Sequence, residues 1–133
     1  MNTRAKVLAL DYGLVRTGIA ISDATGTLAR PLMVLERAAT AAGLRRLAEL
    51  VSTEDVGRIV VGLPLTLRGE FGLQAEETER FVERLRAAVD VPVESLDERF
   101  TTALAARAPS AGAPEDARAA AHLLESYLAA GDS

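Results

Sequence analysis

The apolar positions of this 133-residue chain recur with two periods, one of strands and one of helices. Val7-Leu8-Ala9-Leu10 is apolar at every position, as expected of a central strand covered on both faces. It ends at Asp11. A Gly-containing turn, Tyr12-Gly13-Leu14-Val15, follows, and Thr17 to Ser22 comes back as a second strand, so the pattern predicts a hairpin. Asp23 to Thr27 reads as a turn, and Leu28 to Leu35 as a third strand whose Pro31 marks an edge or a bulge. The period then changes. Leu44, Leu47, Leu50 and Val51 recur at helical spacing behind Thr40, a side chain suited to capping the helix. Gly57 punctuates, and Arg58 to Gly62 predicts a buried strand. A strand, helix, strand order of this kind favours parallel pairing through a right-handed crossover.

Leu63 to Gly72 is a Pro- and Gly-containing loop. Gln74 to Val89 predicts a long amphipathic helix with Phe81, Val82, Leu85 and Val89 on its apolar stripe. Its charged residues are of mixed sign and read as a solvated face. Val91 to Leu96 predicts a fifth strand, ending in Asp97-Glu98-Arg99. A short helix over Thr102 to Arg107 and a linker from Pro109 to Pro114 follow. Pro114 suits the first turn of a last helix, which runs to about Ala130 with Ala119, Ala120, Leu123, Leu124, Tyr127 and Leu128 inward. The order β-β-β-α-β-α-β-α-α predicts one α/β domain over residues 1–133, with a mixed sheet and helices on both faces.

Composition narrows the function classes. A chain of this length buries about two-thirds of its unfolded surface and sustains a core without staples. It contains no cysteine, which rules out disulfides and thiolate metal sites. No stretch is long enough to span a membrane and none reads as a signal peptide, so a cytoplasmic location is expected. The net charge of −4 gives no global attraction to nucleic acid. Lys6 is the only lysine. With three Phe and two Tyr, no aromatic platform for base stacking is apparent.

Three acidic positions stand where chemistry is done. Asp11 ends the first strand, Asp97-Glu98 ends the fifth, and Asp116 lies in the first turn of the last helix, in register with its apolar stripe. Carboxylates converging at one sheet edge would repel one another. Divalent cations resolve that repulsion, and oxygen-only donors suit Mg²⁺ or Mn²⁺. Two such ions clamp a phosphodiester. Each acid also has a plainer reading: a turn residue for Asp11, a helix-dipole acid for Asp116, and a local salt-bridge cluster for Asp97-Glu98-Arg99. Arg16, just past the first turn, suits a bidentate phosphate contact or is an exposed hairpin arginine. Arg99, Thr101 and Thr102 could donate to phosphate at a helix N-terminus, or Thr101 could be a cap. His122, the only histidine, is expected on the polar edge of the last helix, at the surface.

Four stretches in this order, LALDYGLVRTGIAISD, VVGLPLTLRGEFGLQAEETERFVERL, LDERFTTALA and DARAAAHLLESYL, together resemble the YqgF/RuvX family, the pre-16S rRNA nucleases also called Holliday junction resolvases. The resemblance covers nearly the whole chain. It implies an RNase H-like fold related to the RuvC resolvase and a metal-dependent endonuclease with three acids, which fall here on Asp11, Glu98 and Asp116. Glu98 is preferred over Asp97 because RuvC-like enzymes carry a glutamate at that strand end. The family's Gly-Leu-Pro-Leu loop falls on Gly62 to Leu65, and its arginine on Arg16. The implied cofactor is Mg²⁺ or Mn²⁺. The implied substrate is structured RNA, for 5′-end maturation of pre-16S rRNA, or branched DNA, with the ribosomal particle as a further partner and a monomer or homodimer as the working form. Family members carry a longer, basic segment before the last acidic helix, where this chain has APSAGAPE. That departure keeps open a non-catalytic ribosome- or RNA-binding module. An acid followed by a Gly turn is also how actin-like ATPases and sugar kinases hold phosphate, but those need a second domain for which 133 residues leave no room.

Overall fold

In a computed structural model the structure describes residues 6–63, 72–97 and 115–131. Five strands lie among the described residues: β1 (Lys6–Asp11), β2 (Arg16–Ser22), β3 (Ala29–Glu36), β4 (Val56–Leu63) and β5 (Val93–Asp97). Among the described residues three helices accompany them: α1 (Ala41–Thr53), α2 (Leu73–Ala88) and α3 (Glu115–Gly131). The sheet order is β3-β2-β1-β4-β5. β1 to β3 form the antiparallel meander that the hairpin signals predict, and β4 and β5 add parallel to β1. The fully apolar first strand therefore lies at the centre of the sheet. The predicted short helix over Thr102 to Arg107, the Pro109 to Pro114 linker and most of the Leu63 to Gly72 loop lie outside the described residues.

The two faces of the sheet are built from different side chains. Leu8, Leu10, Ile19, Ile21, Ile59 and Val61 face α1 and α2 and pack with Leu47, Leu50, Phe81 and Leu85. Burying side chains of this size stabilises by about 1.5–3 kcal/mol each. The opposite face presents Ala9, Ala20 and Val60 to Ala120, Ala121, Leu123 and Leu124 of α3. Alanines on both sides let α3 approach the sheet closely.

That approach corrects the expectation for His122. It is only 3% exposed, because α3 is buried along a wider arc than its apolar stripe, from Ala117 through Leu124 with Arg118 and Ala119 half-buried. Its Nδ1 lies 3.2 Å from Glu125 Oε1. Among the described residues its Nε2 has no hydrogen-bond partner.

Local chemistry sets most boundaries where the pattern places them. Thr40 caps α1, its Oγ1 accepting from the Gly43 N–H at 3.1 Å. Pro31 sits on the edge strand β3, beside a register shift between Ile19 and Ala20. β4 begins at Val56, ahead of the predicted start. The chain turns at Asp55, which adopts a left-handed conformation (φ 59°), so Gly57 lies inside the strand.

Candidate active site

β1, β4 and β5 run parallel, so their C-terminal ends share one edge of the sheet. The register aligns Leu10 with Val61, Val61 with Ser95, and Leu63 with Asp97. Ligands of open α/β sheets gather at this edge, beyond the carboxyl ends of the strands. Asp11 is the last residue of β1 and pairs with Gly18 of β2. The three residues before it, Leu8, Ala9 and Leu10, are completely buried, whereas Asp11 is half-buried. The central strand thus carries a carboxylate from the core to the rim.

Strand alternation fixes its face. Ala9 belongs to the cluster under α3, so Asp11, two residues on, lies on the same face. Tyr12 lies on the opposite face, where its ring stacks on Phe81 of α2 with centroids 4.3 Å apart and planes 14° apart. Burial pushes the Tyr12 phenol up. The Glu77 carboxylate adds to the rise and the Arg84 guanidinium opposes it.

The turn after Asp11 is closed by Thr17, which is fully buried. The Gly13 N–H donates to Thr17 Oγ1 at 3.3 Å, and that hydroxyl donates back to the Gly13 carbonyl at 3.4 Å. A Cβ on Gly13 would collide with the Arg16 carbonyl oxygen, so the turn requires glycine at this point. The Arg37 N–H donates to the Val15 carbonyl at 2.8 Å and ties the turn to the end of β3. Arg16 opens β2, opposite Glu36, and is exposed.

Of the other predicted site residues, the backbone of Asp97 ends β5 at the same edge as Asp11, and the backbone of Asp116 stands in the first turn of α3. Two inter-strand spacings separate β1 from β5, about 10 Å. The side chains of Asp97 and Asp116, and the whole of Glu98, Arg99, Thr101 and Thr102, lie outside the described residues. Among the described residues no group of three or more His, Asp or Glu side chains is placed to hold a metal ion. Of the three predicted acids, only Asp11 has its side chain in that set.

Two features have little trace in the pattern. Thr17 as the clamp of the turn and Tyr12 as a partner of α2 both depend on contacts between elements. The only sequence signal for Thr17 is a hydroxyl at the start of an otherwise apolar strand. At the opposite end of the sheet, Arg58 meets Glu94 at 2.5 Å. The Arg58 guanidinium is held above its usual range chiefly by that hydrogen bond, with smaller contributions from Tyr127. Among the described residues, no helix is long and apolar enough to cross a membrane.

Comparison with known proteins agrees with this architecture. The family model described as "RuvX: Holliday junction resolvase" matches residues 5–130. A protein of Chloroflexus aurantiacus named "Putative pre-16S rRNA nuclease" is 46% identical over 99 residues, which cover 74% of this chain and 65% of that protein. A protein of the same name from a Roseiflexus species is 42% identical over 102 residues, 77% of this chain and 72% of the relative. The chain thus spans slightly under two-thirds of the Chloroflexus protein's length. Among solved structures, RuvC of T. thermophilus in complex with a Holliday junction substrate superposes with a TM-score of 0.63 at 16% identity, covering 98% of this chain and 97% of that one. The Fowlpox virus resolvase, solved with Holliday junction DNA, gives a TM-score of 0.57 at 11% identity, with 96% and 99% covered. At those identities the likeness is one of fold: a mixed five-stranded sheet of the RuvC, RNase H-like type. With the family model spanning nearly the whole chain and relatives above 40% identity, this protein belongs to the RuvX family.

Proposed function

We propose that this protein is a metal-dependent endonuclease that hydrolyses phosphodiester bonds in structured RNA, acting in 5′-end maturation of the 16S rRNA precursor in the cytoplasm. The observation that carries the reading is the half-buried Asp11, at the carboxyl end of the central strand and on the face that α3 covers. The direction of α3 supports it. Tyr127 contacts Arg58, which is in register with Val7, at the far end of β1 from Asp11. From Val7 to Asp11 the strand rises about 13 Å. From Tyr127 back to Asp116 a helix covers about 16 Å. A helix running back along the strands from Tyr127 reaches the Asp11 edge with its first turn.

Asp11, Glu98 and Asp116 would then hold Mg²⁺ or Mn²⁺. Hard oxygen donors on the exit of a doubly covered strand and on the first turn of a helix suit those ions. Bound there, the metal supplies the positive charge that polarises the scissile phosphodiester. The chain's own part is positional. The buried Leu8-Ala9-Leu10 stem fixes the Asp11 carboxylate, and the Thr17-clamped turn holds Arg16 at the beginning of β2 for a substrate phosphate. Arg99, Thr101 and Thr102 are proposed as further phosphate contacts.

The printed names of the curated relatives favour rRNA, and the family description and the RuvC neighbour favour a four-way DNA junction as the second reading. The test is cleavage of a 5′-extended 16S rRNA fragment and of a synthetic four-way junction, with Mg²⁺ and with EDTA. The expected result is Mg²⁺-dependent cleavage of the RNA, lost in Asp11→Asn with the circular dichroism spectrum unchanged. Equal cleavage by Asp11→Asn and the parent protein would sink the catalytic assignment. Cleavage of the junction alone would move the substrate to DNA.

A further inference from the structure

The turn that follows Asp11 leaves large apolar side chains in solvent. Leu14 is 65% and Val15 61% exposed, and Leu73, at the start of α2, is 74% exposed. Leu28 is the one other exposed large apolar residue among the described residues. Leu14 and Val15 border the space between the β1–β2 turn and α2, the helix that Leu73 opens. Scattered single apolar residues on a surface need no explanation, but a cluster beside a candidate active site does.

That space is a groove of two adjoining hollows, of about 240 and 280 Å³, which share Tyr12, Leu14 and Glu77. The two differ in chemistry. The first is walled by Leu14, Val15 and Tyr12 and carries the Gln74 amide and the Glu77 carboxylate, with no cation among the described residues that line it. The second contains Arg80 and Arg84. Among the described residues neither arginine is in an ion pair, whereas the next arginine of α2, Arg86, pairs with Glu83 and donates to the Val93 carbonyl. Arg80 and Arg84 lie one helical turn apart and are both exposed.

An apolar hollow with a donor–acceptor amide and an accepting carboxylate matches a nucleobase, whose faces are apolar and whose edge carries N–H donors. A hollow lined by two exposed guanidinium groups matches phosphate. Glu77 borders both hollows, so it is Arg80 and Arg84, which line only the second, that order the two ends of a nucleotide along the groove. We propose that this groove binds an unpaired nucleic-acid strand flanking the cleavage point, with its base and sugar against Leu14 and Val15 and its phosphates on Arg80 and Arg84. The assignment rests on the nuclease reading of the Asp11 edge, since Tyr12 continues directly from Asp11.

The test is fluorescence anisotropy of a labelled, unpaired ten-nucleotide RNA, titrated with the full chain in EDTA between 50 and 200 mM salt, roughly the range over which counterion release is resolved. Arg80→Glu with Arg84→Glu should weaken binding about tenfold and flatten the dependence of log K on log salt by about 1.4, the value for two lost single-strand phosphate contacts. Leu14→Ser with Val15→Ser should weaken binding about fivefold and leave the salt slope unchanged, as loss of sequence-tolerant base contacts predicts. Arg45→Glu, an exposed position on α1, should bind like the parent. All these positions are exposed, so folding is not at stake. Parental affinity in the groove variants, or an equal loss in Arg45→Glu, overturns the groove whatever the fate of Asp11-dependent cleavage. Groove variants that keep RNA affinity but no longer sediment with ribosomal particles would assign the surface to a protein and overturn it too.

Discussion

Gly43 offers the sharpest test of how α1 is seated. A Cβ built there meets the carbonyl oxygens of Arg37 and Ala38 at 2.5 Å each and the Ala38 Cα at 2.6 Å. All three are backbone atoms, so no rotamer change can relieve the contact. An ordinary contact begins near 3.4 Å, which leaves a shortfall of about 0.9 Å. The helix cannot easily retreat, because its first turn is pinned: Thr40 Oγ1 donates to the Arg37 carbonyl at 2.8 Å and accepts from Gly43 N–H. Two effects oppose each other in Gly43→Ala. Helix propensity favours alanine by about 1 kcal/mol. Overpacking costs about 1–3 kcal/mol, and a clash with two carbonyl groups belongs at the upper end. The net expectation is destabilisation by about 1–2 kcal/mol. The assay is urea unfolding followed by circular dichroism, with the midpoint lowered and the m-value unchanged. Gly26→Ala is the companion variant. Gly26 has φ 72° with nothing within 4 Å of an added Cβ, so only backbone strain acts, about 1 kcal/mol. An unchanged or raised midpoint for Gly43→Ala would refute the close seating of α1 on the Arg37-Ala38 turn.

Two further outcomes follow from side-chain geometry. Asp23 accepts from Thr25 Oγ1 at 2.6 Å and from the Thr27 and Leu28 N–H groups at 2.8 and 3.1 Å, and these bonds, the Thr25 hydroxyl foremost, lower its pKa to about 2. Because the folded value is depressed, its contribution to stability is complete above the unfolded carboxylate value near 3.8 and is lost as pH falls through about 2; a carboxyl carbon NMR titration with a midpoint near 3.8 would contradict the turn geometry. Arg58 and Glu94 meet at 2.5 Å with side chains 43% and 42% exposed, so a double-mutant cycle should give a coupling below about 1 kcal/mol that shrinks at high salt; a larger, salt-independent coupling would mean the pair is shielded from water.

Much of this molecule is determined by one-dimensional pattern. Val7 to Leu10 is apolar throughout because the strand lies between two layers. The Thr40 cap, the α2 stripe of Phe81, Val82 and Leu85, and the edge position of Pro31 all follow from local rules. The four stretches that carry the family resemblance also lie in the chain itself. Periodicity, however, records only whether a position is buried, not what it meets. The burial of His122 follows from Ala9 and Ala20 facing Ala120 and Ala121, a match of small residues across elements far apart in sequence. The αL turn at Asp55 displaced the start of β4 from the expected side of Gly57, because a non-glycine residue took the left-handed conformation. The face on which Asp11 stands, and the groove that Tyr12 forms with α2, were decided by the sheet order β3-β2-β1-β4-β5. That order depends on which strands pair across long chain separations, and pairing is a property of packed layers, which no local run of residues encodes.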